Sequence, residues 1–288
     1  MAELPVVLLP VGVDDDALDA CLAALDAGTP AGTRVWLADN AQAGPRGLSI
    51  IERWLASTRL QAEYTRRGRP VTEAVHIDEA LRACGGGDVI VLAPDALPVP
   101  GWAPQLAACF ARDASIATAT PWCNAGEQVA WPRIGEVSPP PDDLPRLGQA
   151  CAAMPPRHPE LPAAVPHAVL LRGRARAKAG GLDTASYASW YAALIDLSLR
   201  LSGLGWRNVL CETAFVARGG EGGAQEGDME MIATRWPAWH ERLARFLMED
   251  PLRALRGELE DKLAAVGPPD PQQDLFSGGH DPVEEGEG

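Results

Sequence analysis

The sequence predicts an α/β fold, a mostly parallel sheet with helices on both faces. Three observations carry this. A continuous apolar run stands at 4–11, with shorter strands at 34–38 and 88–92 that are apolar after Arg34 and Asp88, as expected of parallel strands buried on both sides. Segments of helical spacing separate these runs. Turn residues punctuate each junction, and strands alternating with helices imply a parallel sheet.

Taken in order, the 4–11 strand leads to Asp14-Asp15-Asp16, acidic residues suited to a helix N-terminus. Leu18, Cys21, Leu22 and Leu25 follow at helical spacing, and Gly28-Thr29-Pro30 ends the helix. The 34–38 strand runs into Asp39-Asn40. A helix at 77–84 stops at Gly85-Gly86-Gly87, before the 88–92 strand. Sheets of this kind bind ligands beyond the carboxyl ends of their strands, which places 10–14, Asp39-Asn40 and Ala93-Pro94-Asp95 on one rim. The Pro-rich stretch 131–166 is expected to hold little regular helix or central strand. A strand at 167–171 precedes Arg172, Arg174, Arg176 and Lys178, which would share one face if they alternate along its end. Gly180-Gly181-Leu182-Asp183 reads as a turn, 190–202 as a long helix and 208–211 as a strand. A Gly-rich loop runs through Gly223. Residues 228–266 read as helix broken at Pro237 and Pro251, and 267–288 as a disordered acidic tail.

Composition narrows the partners. The 288 residues carry 25 Lys+Arg against 39 Asp+Glu, a net charge of −14. That argues against bulk binding to nucleic acid or to an anionic membrane, which needs a basic face. A local basic pocket for a phosphorylated small molecule stays open. The 6 cysteines are scattered without a C-x-x-C pair, so neither a zinc site nor a disulfide framework is expected, and a cytoplasmic location is. No apolar run approaches the ~20 residues of a membrane-spanning helix. The N-terminus lacks the basic region of a signal peptide.

Four stretches, in this order, resemble the family 2 GT-A glycosyltransferases, bacterial or phage enzymes that use nucleotide-sugar donors. They are Val6-Val7-Leu8-Leu9-Pro10-Val11; Trp36-Leu37-Ala38-Asp39-Asn40; Gly87 to Asp95 with Pro100-Gly101-Trp102; and Gly180-Gly181-Leu182-Asp183 with Asp196-Leu197-Ser198-Leu199-Arg200-Leu201 and Gly205-Trp206. The last matches the family's "GGFD … EDxDLxLRLxxxGW" pattern. The resemblance covers 5–220 and implies a GT-A fold. A glycosyltransferase domain would span 1–225, with 131–166 as an insertion, 226–266 as a helical C-terminal extension and 267–288 as the tail. It implies that Pro10, Asp39, Asn40, Asp95 and Arg218 surround a nucleotide-diphosphate sugar. Asp95 would hold a divalent cation, Mg²⁺ or Mn²⁺, to offset the charge of the leaving diphosphate. Asp183 and Asp196 would lie on the acceptor side as candidate catalytic residues, with Glu212 a further candidate base.

The departures from the family are specific. Its D-x-D-like element is reduced to Ala93-Pro94-Asp95, its Glu-Asp base pair falls at Ala193-Leu194, and its metal-binding His falls near Ala217, beside Arg218. Two functional readings follow. One is a transferase acting on a glycan, lipid-linked, small-molecule or modified nucleic-acid acceptor. The other is a catalytically degenerate subunit that binds a nucleotide sugar or recruits a partner enzyme. Each singled-out residue also has a plainer reading: Asp39 and Asp95 as turn residues, the Arg cluster as a solvated face, and the histidines and tryptophans as packing. In the tail, Gln272-Gln273-Asp274-Leu275-Phe276 resembles the short peptide that binds bacterial sliding clamps.

Overall fold

The computed structural model describes residues 4–220 and 223–267. The tail and its clamp-like peptide, from 268 onward, lie outside the described residues. So does the extreme N-terminus at 1–3. Among the described residues, no helix is long and apolar enough to cross a membrane.

The chain alternates β1 (Val6–Val11), α1 (Asp15–Gly28), β2 (Arg34–Asp39), α2 (Pro45–Ser57), β3 (Gln61–Arg66), α3 (Glu73–Ala83) and β4 (Val89–Leu92). Next come β5 (Ala96–Pro98), α4 (Trp102–Arg112), β6 (Ile116–Trp122), α5 (Leu144–Ala152), β7 (Ala168–Leu171) and α6 (Gly173–Ala179). They are followed by α7 (Trp190–Gly203), β8 (Arg207–Arg218), α8 (Asp228–Arg235), α9 (Trp239–Glu249) and α10 (Arg253–Val266).

The strands form one 8-stranded sheet in the order β3-β2-β1-β4-β7-β6-β8-β5. Strands β3, β2, β1 and β4 pair parallel with one another, as the runs that became β1, β2 and β4 predicted. The sheet turns mixed beyond β4, where β7 pairs antiparallel with both β4 and β6. Successive side chains of a strand face opposite ways, so each apolar strand feeds two cores. Val7, Leu9, Ile90 and Leu92 pack under α1, α2 and α4 with Leu22, Ile51 and Trp102. Leu8, Val89 and Val91 pack on the other face with Ile77 of α3 and Leu194 and Leu197 of α7. A third cluster joins α5 and α10 to Trp122 and Phe215.

Three segments depart from the sequence expectations. The Pro-rich 131–166 stretch contains α5, which Asp143 caps by accepting from Arg146 N at 3.0 Å. Pro145 sits in the first turn of α5, where a missing N–H costs nothing. The strand expected at 208–211 continues through Arg218, because Thr213 to Ala217 is as buried as the segment before it. The basic cluster is helical rather than strand-end. Arg172 donates to the carbonyls of Phe110 and Asp113, and Arg176 to those of Leu81 and Gly85. These side chains bind the protein's own backbone, which removes them as a face for a diphosphate.

A close backbone approach holds α6 against the loop before β4. A Cβ added at Gly173 would come within 2.0 Å of Gly86 O and 2.5 Å of Gly87 O. Neither carbonyl is the end of a flexible side chain, so the backbone itself must move. Gly173→Ala is expected to lower unfolding free energy by about 2–3 kcal/mol, as overpacked sites do, read as a fall in the urea midpoint.

Candidate functional site

The carboxyl ends of β1, β2 and β4 open into a cleft of about 630 Å³. Pro10 and Val11 end β1 and Gly12 follows them, Asn40 and Gln42 follow β2, and Ala93, Pro94 and Asp95 follow β4. The 70–73 segment entering α3, the N-terminus of α7 at Trp190 and Tyr191, and Arg218 at the end of β8 complete the wall. Gly12 lies close enough to Pro94 that a Cβ would meet its ring at 3.0 Å.

Asn40 clamps one wall, its Nδ2 donating to Val71 O at 2.8 Å and its Oδ1 accepting from Val71 N at 3.0 Å. Behind it, Asp39 is fully buried. Its carboxylate accepts from the amides of Gln42 and Ala43, from Tyr64 Oη at 2.8 Å and from Arg66 Nη1 at 3.0 Å. Asp39 therefore shapes the turn that presents Asn40 and Gln42, and its own side chain does not line the cleft. His76 closes the base, its Nε2 donating to Ala38 O at 3.0 Å.

Asp95 and Arg218 form the charged floor. The Nε and Nη2 of Arg218 both reach Asp95 at 3.1 Å, and Gly220 N donates to Asp95 Oδ2 at 2.9 Å. Arg218 is held in place by its own backbone. Its amide donates to Asn124 Oδ1, its carbonyl accepts from Asn124 Nδ2, and it pairs in register with Ala96. A second cavity, of about 310 Å³, adjoins the first and shares Arg218, Tyr191, Pro166 and Gly223 with it. Glu127, Gln128 and His167 line it, and Tyr191 Oη donates to Glu127 at 3.4 Å. Burial, with Arg218 nearby, pushes the His167 pKa down to about 3, so its ring is neutral.

Glu73 is the cleft carboxylate that the sequence reading passed over. It stands in the first turn of α3 and accepts from Trp190 N at 2.8 Å, which ties α3 to the start of α7. The residue is reached by solvent through the cleft, yet protein crowds its carboxyl closely. Desolvation raises its pKa, and the charge of Asp228 adds to that, against the lowering effect of the Trp190 amide, His76 and Arg218. Thr72-Glu73 is ordinary N-terminal helix sequence, a signal available had the helix been started before Ile77.

The remaining candidates lie away from both cavities. Asp183 is paired with Arg235 and accepts from Ser186 N. Burial works to raise its pKa, but these hydrogen bonds outweigh it and hold the group below the ordinary carboxylate range. Asp196 is fully buried inside α7, where Arg200 Nε at 2.7 Å and Trp236 Nε1 at 2.9 Å donate to it. Glu212 is fully buried and accepts from His158 N. Ala193 and Leu194, where the family's base pair would fall, are core residues of α7.

Among the described residues, those around Asp95 do not fit a divalent cation. Hard cations of this kind need several oxygen ligands. Asp95 is the sole carboxylate from the reduced Ala93-Pro94-Asp95 element, and it is already bound to Arg218 and Gly220. Among the described residues, no group of three or more His, Cys, Asp or Glu side chains is arranged to hold a metal.

The fold and the position of this cleft define the class: the chain has the GT-A glycosyltransferase fold. GalNAc-T7, solved with UDP, GalNAc and Mn²⁺, superposes over 90% of this chain with a TM-score of 0.59 and 12% identity. This chain spans 54% of GalNAc-T7. The mannosyltransferase PcManGT from Pyrobaculum calidifontis, solved with GDP-Man and Mn²⁺, matches 94% of this chain and 78% of its own at a TM-score of 0.55 and 14% identity. S. aureus TarS in complex with UDP-GlcNAc matches 91% of this chain and 71% of its own, at a TM-score of 0.50 and 12% identity. No protein-family model matches the sequence, and no curated protein matches it.

Two outcomes follow for the carboxylates outside the cleft. Asp196→Ala strands Arg200 and the Trp236 indole N–H and should cost about 2–4 kcal/mol in urea unfolding, as breaking a buried pair does. Glu212 carries a pH signature. Burial would raise its pKa, but donation from His158 and the Arg157 amide holds it low. Between the lowered native value and the ordinary one the unfolded chain binds more protons, so stability falls as pH drops through that window. Glu212→Gln should flatten the acid limb of stability against pH.

Proposed function

We propose that this chain is a glycosyltransferase of the family 2 type. It takes a nucleotide-diphosphate sugar in the larger cleft and passes the sugar to an acceptor hydroxyl entering by the smaller one. One observation carries the reading. The cleft lies beyond the carboxyl ends of β1, β2 and β4 and ends on a guanidinium that also borders the second cavity. The nucleoside would lie against Pro10, Val11, Asn40 and Val71, with the diphosphate directed to Arg218. The bound nucleotides and nucleotide sugars of the GT-A neighbours, and the order of the four family-like segments, support it.

Glu73 is the group we assign as base. Of the carboxylates lining the larger cleft, Asp95 is neutralised by Arg218, which leaves Glu73 to accept a proton. In the step, the acceptor oxygen bonds the anomeric carbon and the bond from that carbon to the diphosphate oxygen breaks. The hydroxyl proton goes to Glu73, and the nucleoside diphosphate departs.

The test offers the purified chain UDP-, GDP- and dTDP-sugars with simple sugar acceptors and follows released nucleoside diphosphate by phosphorus NMR. One donor should be consumed. Glu73→Gln should lower kcat by ~10²-fold or more while leaving donor affinity nearly unchanged, as loss of a general base does. The acid limb of the wild-type rate should lie above the ordinary Glu range and vanish in Glu73→Gln. A chain that neither binds nor consumes any donor would sink the reading. The second reading, a non-catalytic nucleotide-sugar binder, is favoured by the core positions of Ala193 and Leu194, and tight donor binding without turnover would select it.

A further inference from the structure

We infer that this chain holds the diphosphate without a metal ion, with the Arg218 guanidinium, fixed by Asp95, standing where a cation would otherwise stand. The inference rests on the reading of the larger cleft as a nucleoside-diphosphate site.

The geometry supports it from three directions. First, both oxygens of Asp95 are engaged, Oδ1 by Arg218 Nη2 and Oδ2 by Arg218 Nε, Arg218 Nη2 and Gly220 N. A cation at Asp95 would have to share oxygens already held by a bidentate guanidinium, the strongest geometry such a pair adopts, and would stand beside its positive charge. Second, the adjoining Ala93 and Pro94 offer no side-chain ligand. Third, Arg218 is pre-positioned. Its side chain is 11% exposed, its backbone is locked to Asn124 through both N–H and C=O, and its strand register with β5 is set. Asp95 takes the Nε–Nη2 edge of the guanidinium, and the two Nη1 protons lie outside the pair. A planar fork held in this way suits phosphate oxygens and needs no rearrangement when the ligand arrives.

This arrangement reverses the expected role of Asp95. As a metal ligand, Asp95 would help bind the diphosphate. As the partner of Arg218, it competes for the guanidinium and repels the anion. The two roles predict opposite signs for Asp95→Asn, which keeps an acceptor for Arg218 and Gly220 N but removes the charge.

The experiment is calorimetric titration of the full chain with UDP, GDP and dTDP, once with EDTA and once with Mn²⁺. Wild type should bind one of them with the same Kd in both buffers. Asp95→Asn should bind it a few-fold tighter. Arg218→Lys, which keeps the charge and loses the fork, should bind about 10-fold weaker in both buffers. Loss of wild-type binding in EDTA with recovery in Mn²⁺ would overturn the inference and leave the proposed function standing. So would abolished binding in Asp95→Asn alongside unchanged thermal unfolding. Failure of every nucleotide in both buffers would instead remove the cleft reading itself. The two buffer arms use unaltered protein, so the answer does not depend on a variant folding.

Discussion

The ion pair between Asp95 and Arg218 joins parts of the chain that are far apart in sequence and in sheet order. Asp95 follows β4, which lies beside β1 in the parallel half. Arg218 ends β8, which lies beyond β7 and β6 in the mixed half. The pair is reinforced by Gly219 N donating to Asp95 O at 3.2 Å and by β5 pairing with the end of β8. The loop after β4 and the end of β8 are thus held as one surface, and both cavities are built against it. A guanidinium–carboxylate fork only 11% and 17% exposed is screened far less than a surface pair, so it can set geometry as well as charge.

Around that floor, the chain places three further carboxylates on backbone amides. Asp39 closes the turn after β2, Asp228 accepts from the Ala188 and Ser189 amides ahead of α7, and Glu73 accepts from Trp190 within it. Each carboxylate satisfies amides that would otherwise be unpaired at a turn or helix start. The consequence for chemistry is selective. Asp39, Asp183 and Asp196 are absorbed into structure. Glu73 serves as a cap and still faces the cleft.

Much of the site's frame was legible in the chain. The ends of β1, β2 and β4 could be located because each strand is an apolar run closed by a turn, and parallel sheets open their ligand crevice at that edge. Pro10, Asn40, Asp95 and Arg218 all line the cleft. Asp39 was placed at the right strand end, but the direction of its carboxylate depends on Tyr64 and Arg66 of β3. Strand β3 alternates polar and half-buried residues and offers no apolar run to read. Motif position alone points Asp183 and Asp196 to the site, whereas Arg235 at the end of α8 and Trp236 just after it claim them.

The sequence by itself determined the class of fold and the strand ends that carry the rim. Apolar periodicity and turn chemistry are local, so they can be read without knowing what lies opposite. Only the tertiary structure decided which charges meet. It gave Arg218 to Asp95, gave Arg172 and Arg176 to backbone carbonyls, and left Glu73 in the cleft. Charge pairing depends on residues as far apart as 95 and 218, and their approach is set by sheet order and register, which no local pattern encodes.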